Sequence, residues 1–261
     1  MSKVGFAVFL FFTFSSLQAQ SVDKIVSKYL EAMGGVQKLK SVQTVQITQK
    51  VVTGDPANDF EFVIIRKRGN KFRMEESLRP NSSEIPQIEG CDGQNSWTMF
   101  GPGPAKLGGN FCDGPAEMDD LLLDYKEKGY AVELLGEEKI EGRDLYHLRL
   151  TRSKSKGHWT HSYVDAKTFL LDRIVTEADG MHREDVYSDY RTINGIMVAF
   201  SDEMRWWAIR KNPLLESKAA SLKADGDAGQ QKQIVERIEF DVPFDDSIFK
   251  MPESKTPTPG S

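Results

Sequence analysis

The chain has 261 residues, with 39 acidic side chains against 34 basic ones and a formal charge of −5. An acidic balance without a basic cluster excludes a nucleic-acid-binding surface and a polybasic membrane-binding one. Two cysteines with no histidine between them exclude a zinc site built on that pair.

Residues 1–19 read as a signal peptide. Met1-Ser2-Lys3 is a short basic start, residues 4–17 are nearly all apolar, and Leu17-Gln18-Ala19 is a small-residue cleavage site. The apolar run is shorter than the roughly 20 residues a spanning helix requires. Export to the periplasm with cleavage near Ala19 is expected, and it makes the chain one unit more acidic by removing Lys3. Residues 20–251 then form a single domain, because roughly 240 residues suit one large β-rich unit. Residues 252–261, ending TPTPGS, read as a disordered tail.

The first mature element is a helix over residues 21–40. Val22, Ile25, Val26, Tyr29, Leu30 and Met33 recur at helical spacing, Ser21 caps them, and Gly34-Gly35 interrupts before one more turn. Residues 42–53 alternate as a strand through Val45, Ile47 and Val51. After Gly54-Asp55-Pro56 come strands at 60–67 and 71–77, separated by Gly69-Asn70. In the first of these Phe60, Phe62, Ile64 and Arg66 share a face; in the second Phe72 and Met74 oppose Arg73 and Glu75. A short strand at 94–100 follows the Asp92-Gly93 turn.

Cys91 and Cys112 each open a Cys-Asp-Gly triplet and flank the Gly/Pro-rich stretch GPGPAKLGG. In an oxidising compartment the pair reads as a disulfide, which would stabilise by roughly 3 kcal/mol; two reduced, buried thiols are the other reading. Residues 115–129 carry the marks of a second helix: Asp113 as cap, Pro115 in the first turn, acidic Glu117, Asp119 and Asp120 early, Lys126 and Lys128 late, and Gly129 as the stop. Met118, Leu121, Leu122 and Tyr125 would be its apolar stripe.

Residues 130–178 contain four strand-length runs joined by short polar turns, hence a meander of antiparallel hairpins. Tyr146, Leu148 and Leu150 point to one face; His147, Arg149 and Thr151 point to the other. Strands at 183–191 and 196–209 flank Asn194-Gly195, a polar loop fills 212–231, and a last strand at 234–242 leads to a turn at 244–249. No period of 20–50 residues recurs.

Chemistry-bearing motifs are missing: no nucleophile elbow, phosphate loop, zincin helix or dinucleotide fingerprint occurs. His158 and His161, three apart on a strand, face opposite ways and cannot share a metal, so strand histidines read as exposed. Glu184 and Asp185 beside His182 diverge in the same manner and read as solvated. The chain is therefore expected to be neither an enzyme nor a cofactor protein. Trp97, Trp159, Trp206 and Trp207, with Phe62, Phe72 and Phe100, build either an ordinary core or the wall of an apolar cavity. Two short helices cannot fill the concave face of a curved sheet of ten or eleven strands.

Several stretches resemble the LolA-like outer-membrane lipoprotein-sorting superfamily: AMGGVQKLKSVQTV, the Cys91-Asp92-Gly93 strand leading to Trp97, LLLDYKEKGYAVELLGEEKIEGRDLYHLRL, SYVDAKTFLLDRI and the closing VPFDDSIFKMP. The resemblance spans nearly all of the mature chain. It implies a mainly β fold, an unclosed, curved antiparallel β-barrel covered by short helices. It also implies a carrier of lipoprotein or lipid, or a sensor of the same fold that binds another envelope protein. Phe62, Ile64, Phe72, Met74, Trp97, Met99, Tyr146, Leu148 and Tyr163 would then line an apolar cavity, with Leu121, Leu122 and Tyr125 as its lid. The family's barrel arginine matches Arg66 or Arg73. The implied partners are the acyl chain of a lipid or lipoprotein and envelope proteins of the inner and outer membranes, with the protein itself a monomer and no cofactor.

Overall fold

The structure is a computed structural model that describes residues 14–77, 87–113, 116–152, 159–178, 180–208 and 229–253. Helix α1 (Phe14–Ala32) and the short α2 (Val36–Ser41) precede thirteen strands. These are β1 (Thr44–Val52), β2 (Phe60–Lys67), β3 (Lys71–Glu76), β4 (Gln87–Asp92), β5 (Ser96–Phe100), β6 (Lys106–Leu107) and β7 (Tyr130–Ile140). The series continues with β8 (Arg143–Arg152), β9 (Trp159–Asp165), β10 (Leu171–Ala178), β11 (Met181–Ile193), β12 (Ile196–Ala208) and β13 (Gly229–Phe240). All belong to one sheet in the order β6-β5-β4-β3-β2-β1-β13-β12-β11-β10-β9-β8-β7.

Every pairing is antiparallel, and the sheet is not closed. It consists of two meanders joined where β1 meets β13. The consecutive strands β6 and β7 therefore end up at opposite free edges, and residues 108–129 must travel from one edge to the other. This is the architecture of an open, curved half-barrel.

The register assigns the two faces. Ile64 of β2 lies opposite Ile47 of β1, Val51 of β1 opposite Gln233 of β13, Gln233 opposite Asp202 of β12, and Asp202 opposite Tyr187 of β11. From β11 the same face continues through Asp185, Ile174 and Ser162 to Leu148. Because Leu148 packs in one cluster with α1, this face is the covered, concave one.

Val22, Ile25, Val26, Tyr29 and Leu30 of α1 join Leu148, Leu150 and Val164 there. Each such side chain contributes roughly 2 kcal/mol of burial. The helix ends where the periodicity stops. Gly34 has φ +121°, and a Cβ at that position would stand 2.4 Å from the Gly195 carbonyl oxygen. Only glycine allows this approach, which lets Met197 N–H donate to Met33 O at 3.1 Å and ties the helix end to the β11–β12 turn.

One expected element is absent. Residues 116–129 are a chain of turns, not a helix. Asp120 Oδ1 accepts from Leu122 N–H at 2.8 Å, and Asp124 adopts φ +53°. Carboxylate side chains here capture backbone donors that a helix would need, and the left-handed residue turns the chain out of the helical path. Pro115 lies outside the described residues, as does the polar stretch 209–228 that holds most of the expected loop. The thirteen strands exceed the ten or eleven expected, because β4 and β6 occupy sequence read as turn and loop.

The convex face has its own small core. Trp97 is fully buried, its indole N–H donates to Phe249 O at 2.8 Å, and its ring lies against Gly90, where a Cβ would sit 2.3 Å from the indole. The terminal 3₁₀ turn Asp246–Phe249 covers it. Lys67 and Lys71 both reach Asp246, at 2.7 and 2.5 Å.

Candidate functional site on the concave face

Two apolar regions lie on the concave face. Under α1, Leu148, Leu150 and Val164 pack with Leu122, Leu123 and Tyr125, and Tyr146, Leu171 and Leu121 border them. At the other end, Ile64, Phe72, Cys91 and Ala116 are bordered by Ile47, Phe62, Met74 and Phe111. A disulfide between Cys91 and Cys112 holds this second region to the segment that crosses the face.

Of the side chains grouped by sequence, the structure gathers Phe62, Ile64, Phe72 and Met74 at one end. It places Tyr146, Leu148, Leu121, Leu122 and Tyr125 at the other. Trp97, Met99 and Tyr163 lie on the convex face. Trp97 pairs with Gly90, and Met99 with Ile88, both out of phase with Phe72 and Met74. Tyr163 stacks on His147 at 4.3 Å. Of the two candidate arginines, Arg66 is on the concave side near the Phe72 ring, where burial lowers its pKa. Arg73 is on the convex side, donating to Ile248 O at 2.8 Å.

The cover is fastened by polar ties along its length. Tyr29 Oη donates to Asp120 Oδ2 at 2.7 Å, and Tyr125 Oη and Lys126 Nζ donate to Asp23 at 2.8 and 3.0 Å. Arg68 grips Asp119 with both guanidinium amines at 2.9 and 3.0 Å, and Lys40 pairs with Asp124 at 2.5 Å. Burial pushes the Tyr29 phenol well up, reinforced by the neighbouring Asp120, and pushes the Asp120 carboxyl up despite its two hydrogen bonds. Two depressions in the described surface, roughly 490 and 610 Å³, lie elsewhere, beside the disulfide loop and beside α2.

Between the apolar ends runs a polar band on β11–β13. Arg183 donates to both Asp185 oxygens at 2.7 to 3.0 Å, with Asp185 only 4% exposed. Tyr187 lies directly opposite Asp202, which in turn lies opposite Gln233. Asp202 Oδ1 is buried with no hydrogen-bond partner. Burial and then the like charge of Asp185 push its pKa up to about 7, against a smaller pull from Arg183. Tyr187 is raised for the same leading reason, burial.

Sequence reading passed over this band. Asp185 is buried, contrary to the solvated position expected of it. The available signal was the alternation Arg183, Asp185, Tyr187, a polar face where an apolar one was expected. His147 is also buried rather than exposed. Its Nδ1 lies 2.5 Å from Glu138 Oε1 and its Nε2 2.6 Å from His161 Nδ1, on the convex face. Burial, then His147, depress the His161 pKa to about 4. His158 lies outside the described residues. No group of three or more His, Cys, Asp or Glu placed to hold a metal occurs among those described.

No protein-family model matches the sequence, and no curated protein does. Solved structures do match. A DUF1329 family protein from Desulfovibrio piger is 15% identical, with 88% of this chain and 97% of that one covered at a TM-score of 0.54. A LolA superfamily protein from Nitrosomonas europaea is 14% identical, with 87% and 96% covered at 0.53. A structure from Vibrio parahaemolyticus, whose name assigns it to outer membrane lipoprotein sorting, is 9% identical, with 87% and 94% covered at 0.52. At these identities the likeness speaks for the fold, and this chain has the LolA-like fold.

Proposed function

We propose that the protein is an exported periplasmic carrier that holds the acyl portion of a lipid or lipoprotein between the concave face and its cover. The observation that carries this reading is the seam between α1 and β8–β9. Its apolar side chains are covered by a helix and a turn segment held largely by side-chain hydrogen bonds, outside the strand pairing of the sheet. Displacing the cover would exchange one apolar partner for another. Moving an acyl chain through water costs about 0.8 kcal/mol per methylene, on the order of 10 kcal/mol for a long chain. A shielded groove removes most of that cost without a chemical step, so neither catalysis nor a cofactor enters the reading.

The test is native mass spectrometry of the mature protein purified from its own envelope, followed by lipid extraction. A bound acylated species supports the carrier. An empty protein that also rejects an apolar fluorophore sinks it.

One observation favours a second reading, an interaction module for another envelope protein. Strand β7 is eleven residues long and has no partner on its outer side among the described residues. An extended peptide can add to such an edge. Loss of a partner when a proline is placed in β7, with lipid binding intact, would favour this module over the carrier.

A further inference from the structure

We propose that the polar band on β11–β13 is a binding site for the ammonium group of the carried amphiphile, with Asp202 as its acceptor. This rests on the carrier reading and adds the headgroup class to it. The band lies on the same face as the two apolar clusters and between them, so an acyl chain lying on either cluster brings its polar end to Asp202.

Arg183 spends Nε and Nη2 on Asp185, so the band sets one cation against two carboxyls and leaves Asp202 as the surplus one. Asp202 Oδ1 is shut off from water and receives no donor. A buried acceptor in that state is costly, and native proteins leave few of them. An ammonium supplies both missing items, a donor and a positive charge. A phosphate or sulfate would meet two carboxyls, and an alcohol would supply the donor without the charge. A metal ion is the wrong occupant, because no ligand group of the necessary size exists among the described residues.

The walls suit the same guest. Tyr187 lies on one side of Asp202 and Gln233 on the other. With its pKa pushed up to about 7 by burial and Asp185, Asp202 can trade its proton for an ammonium near neutral pH. The charged groups that set this balance are Arg183, Asp185 and Asp202 itself.

The test measures displacement of an apolar fluorophore from the mature protein by dodecylamine and by dodecanol. Dodecylamine is expected to bind about tenfold more tightly, the scale of one charge-assisted hydrogen bond. Asp202→Asn, which keeps an acceptor oxygen but removes the charge, should erase the difference between the two. Lysophosphatidylethanolamine against lysophosphatidylglycerol of the same chain length then separates the sources. A matching preference points to an aminophospholipid, and a preference for dodecylamine alone points to a simple amine. Equal binding of dodecylamine and dodecanol overturns the ammonium site and leaves the carrier standing. If neither displaces the fluorophore, or none binds, both readings fall. The wild-type comparison needs no variant, so it decides even if Asp202→Asn does not fold.

Discussion

Strands β7–β10 are closed by packing and by side-chain hydrogen bonds, with α1 and the crossing segment resting on Leu148, Leu150 and Val164 and joined through Tyr29–Asp120 and Tyr125–Asp23. Strands β2–β6 are closed instead by a disulfide on the concave side and by the terminal turn over Trp97 on the convex side. The first closure can be undone by lifting a helix, whereas the second is fixed by a covalent bond and by a tryptophan locked against Gly90. On the proposed carrier reading, a half-barrel that opens needs one movable wall and one rigid wall, and this division would supply both.

The largest expected effect tests the rigid wall. Trp97→Ala removes a fully buried indole and its bond to Phe249 O, and should cost about 4 kcal/mol of unfolding free energy. Amide exchange should quicken first in β3–β5 and in the terminal turn, with β8–β9 less affected. Uniform loss across both halves would show that the two walls unfold as one unit. Next, replacing Cys91 and Cys112 together by serine should cost about 3 kcal/mol, the chain-entropy value for a link across 21 residues. Chemical denaturation of wild type with and without reductant should reproduce the same drop.

These two walls differ in how well the sequence announces them. Strand β2 is legible to the residue, since Phe60–Lys67 is bounded by turns whose Gly54, Gly69 and Asn70 all adopt positive φ. The break at Gly34 and the hairpin at Asn194-Gly195 are legible for the same reason. The face on which Trp97 lies is not. A one-residue change in register moves a strand's whole side-chain set to the other face, and β5 is only five residues long. Nor is the form of the crossing segment legible. Residues 116–129 have a helix's charge pattern, but Asp120 uses its carboxylate on Leu122 N–H and on Tyr29, a partner 91 residues away. Asp202 was hidden because its burial comes from strands paired across the middle of the sheet, which alternation within β12 does not disclose.

The polar band predicts a pH effect of intermediate size. The Asp202 pKa in the folded protein is raised to about 7, above its ordinary value of 3.8. Between those values the native state binds more protons than the unfolded chain, so stability falls as pH rises through that window. The contribution is full below pH ~4 and lost above ~7, of the order of 2 kcal/mol after solvent screening. Asp246, held down to about 2 by Lys67 and Lys71, acts in the opposite direction and at lower pH. The difference between wild type and Asp202→Asn isolates the band: it should change between pH 4 and 7 and stay flat below. A flat difference throughout would mean that water reaches the carboxyl freely.

The smallest effect bears on the mobile wall. Tyr29→Phe keeps the ring in the α1 core and removes only the donor to Asp120. Asp120 retains Leu122 N–H, so its carboxyl stays partly satisfied and the expected cost is about 1 kcal/mol. Its distribution matters more than its size. If α1 and the crossing segment lift together, the loss should appear equally in the exchange of amides in α1 and of Leu122 and Leu123, and dissociation of a bound fluorophore should quicken roughly fivefold. If the segment opens alone, hinged at the disulfide, Leu122 and Leu123 should exchange faster while α1 keeps its protection. The second outcome would mean that cargo enters beneath residues 116–129 and that the helix belongs to the rigid wall.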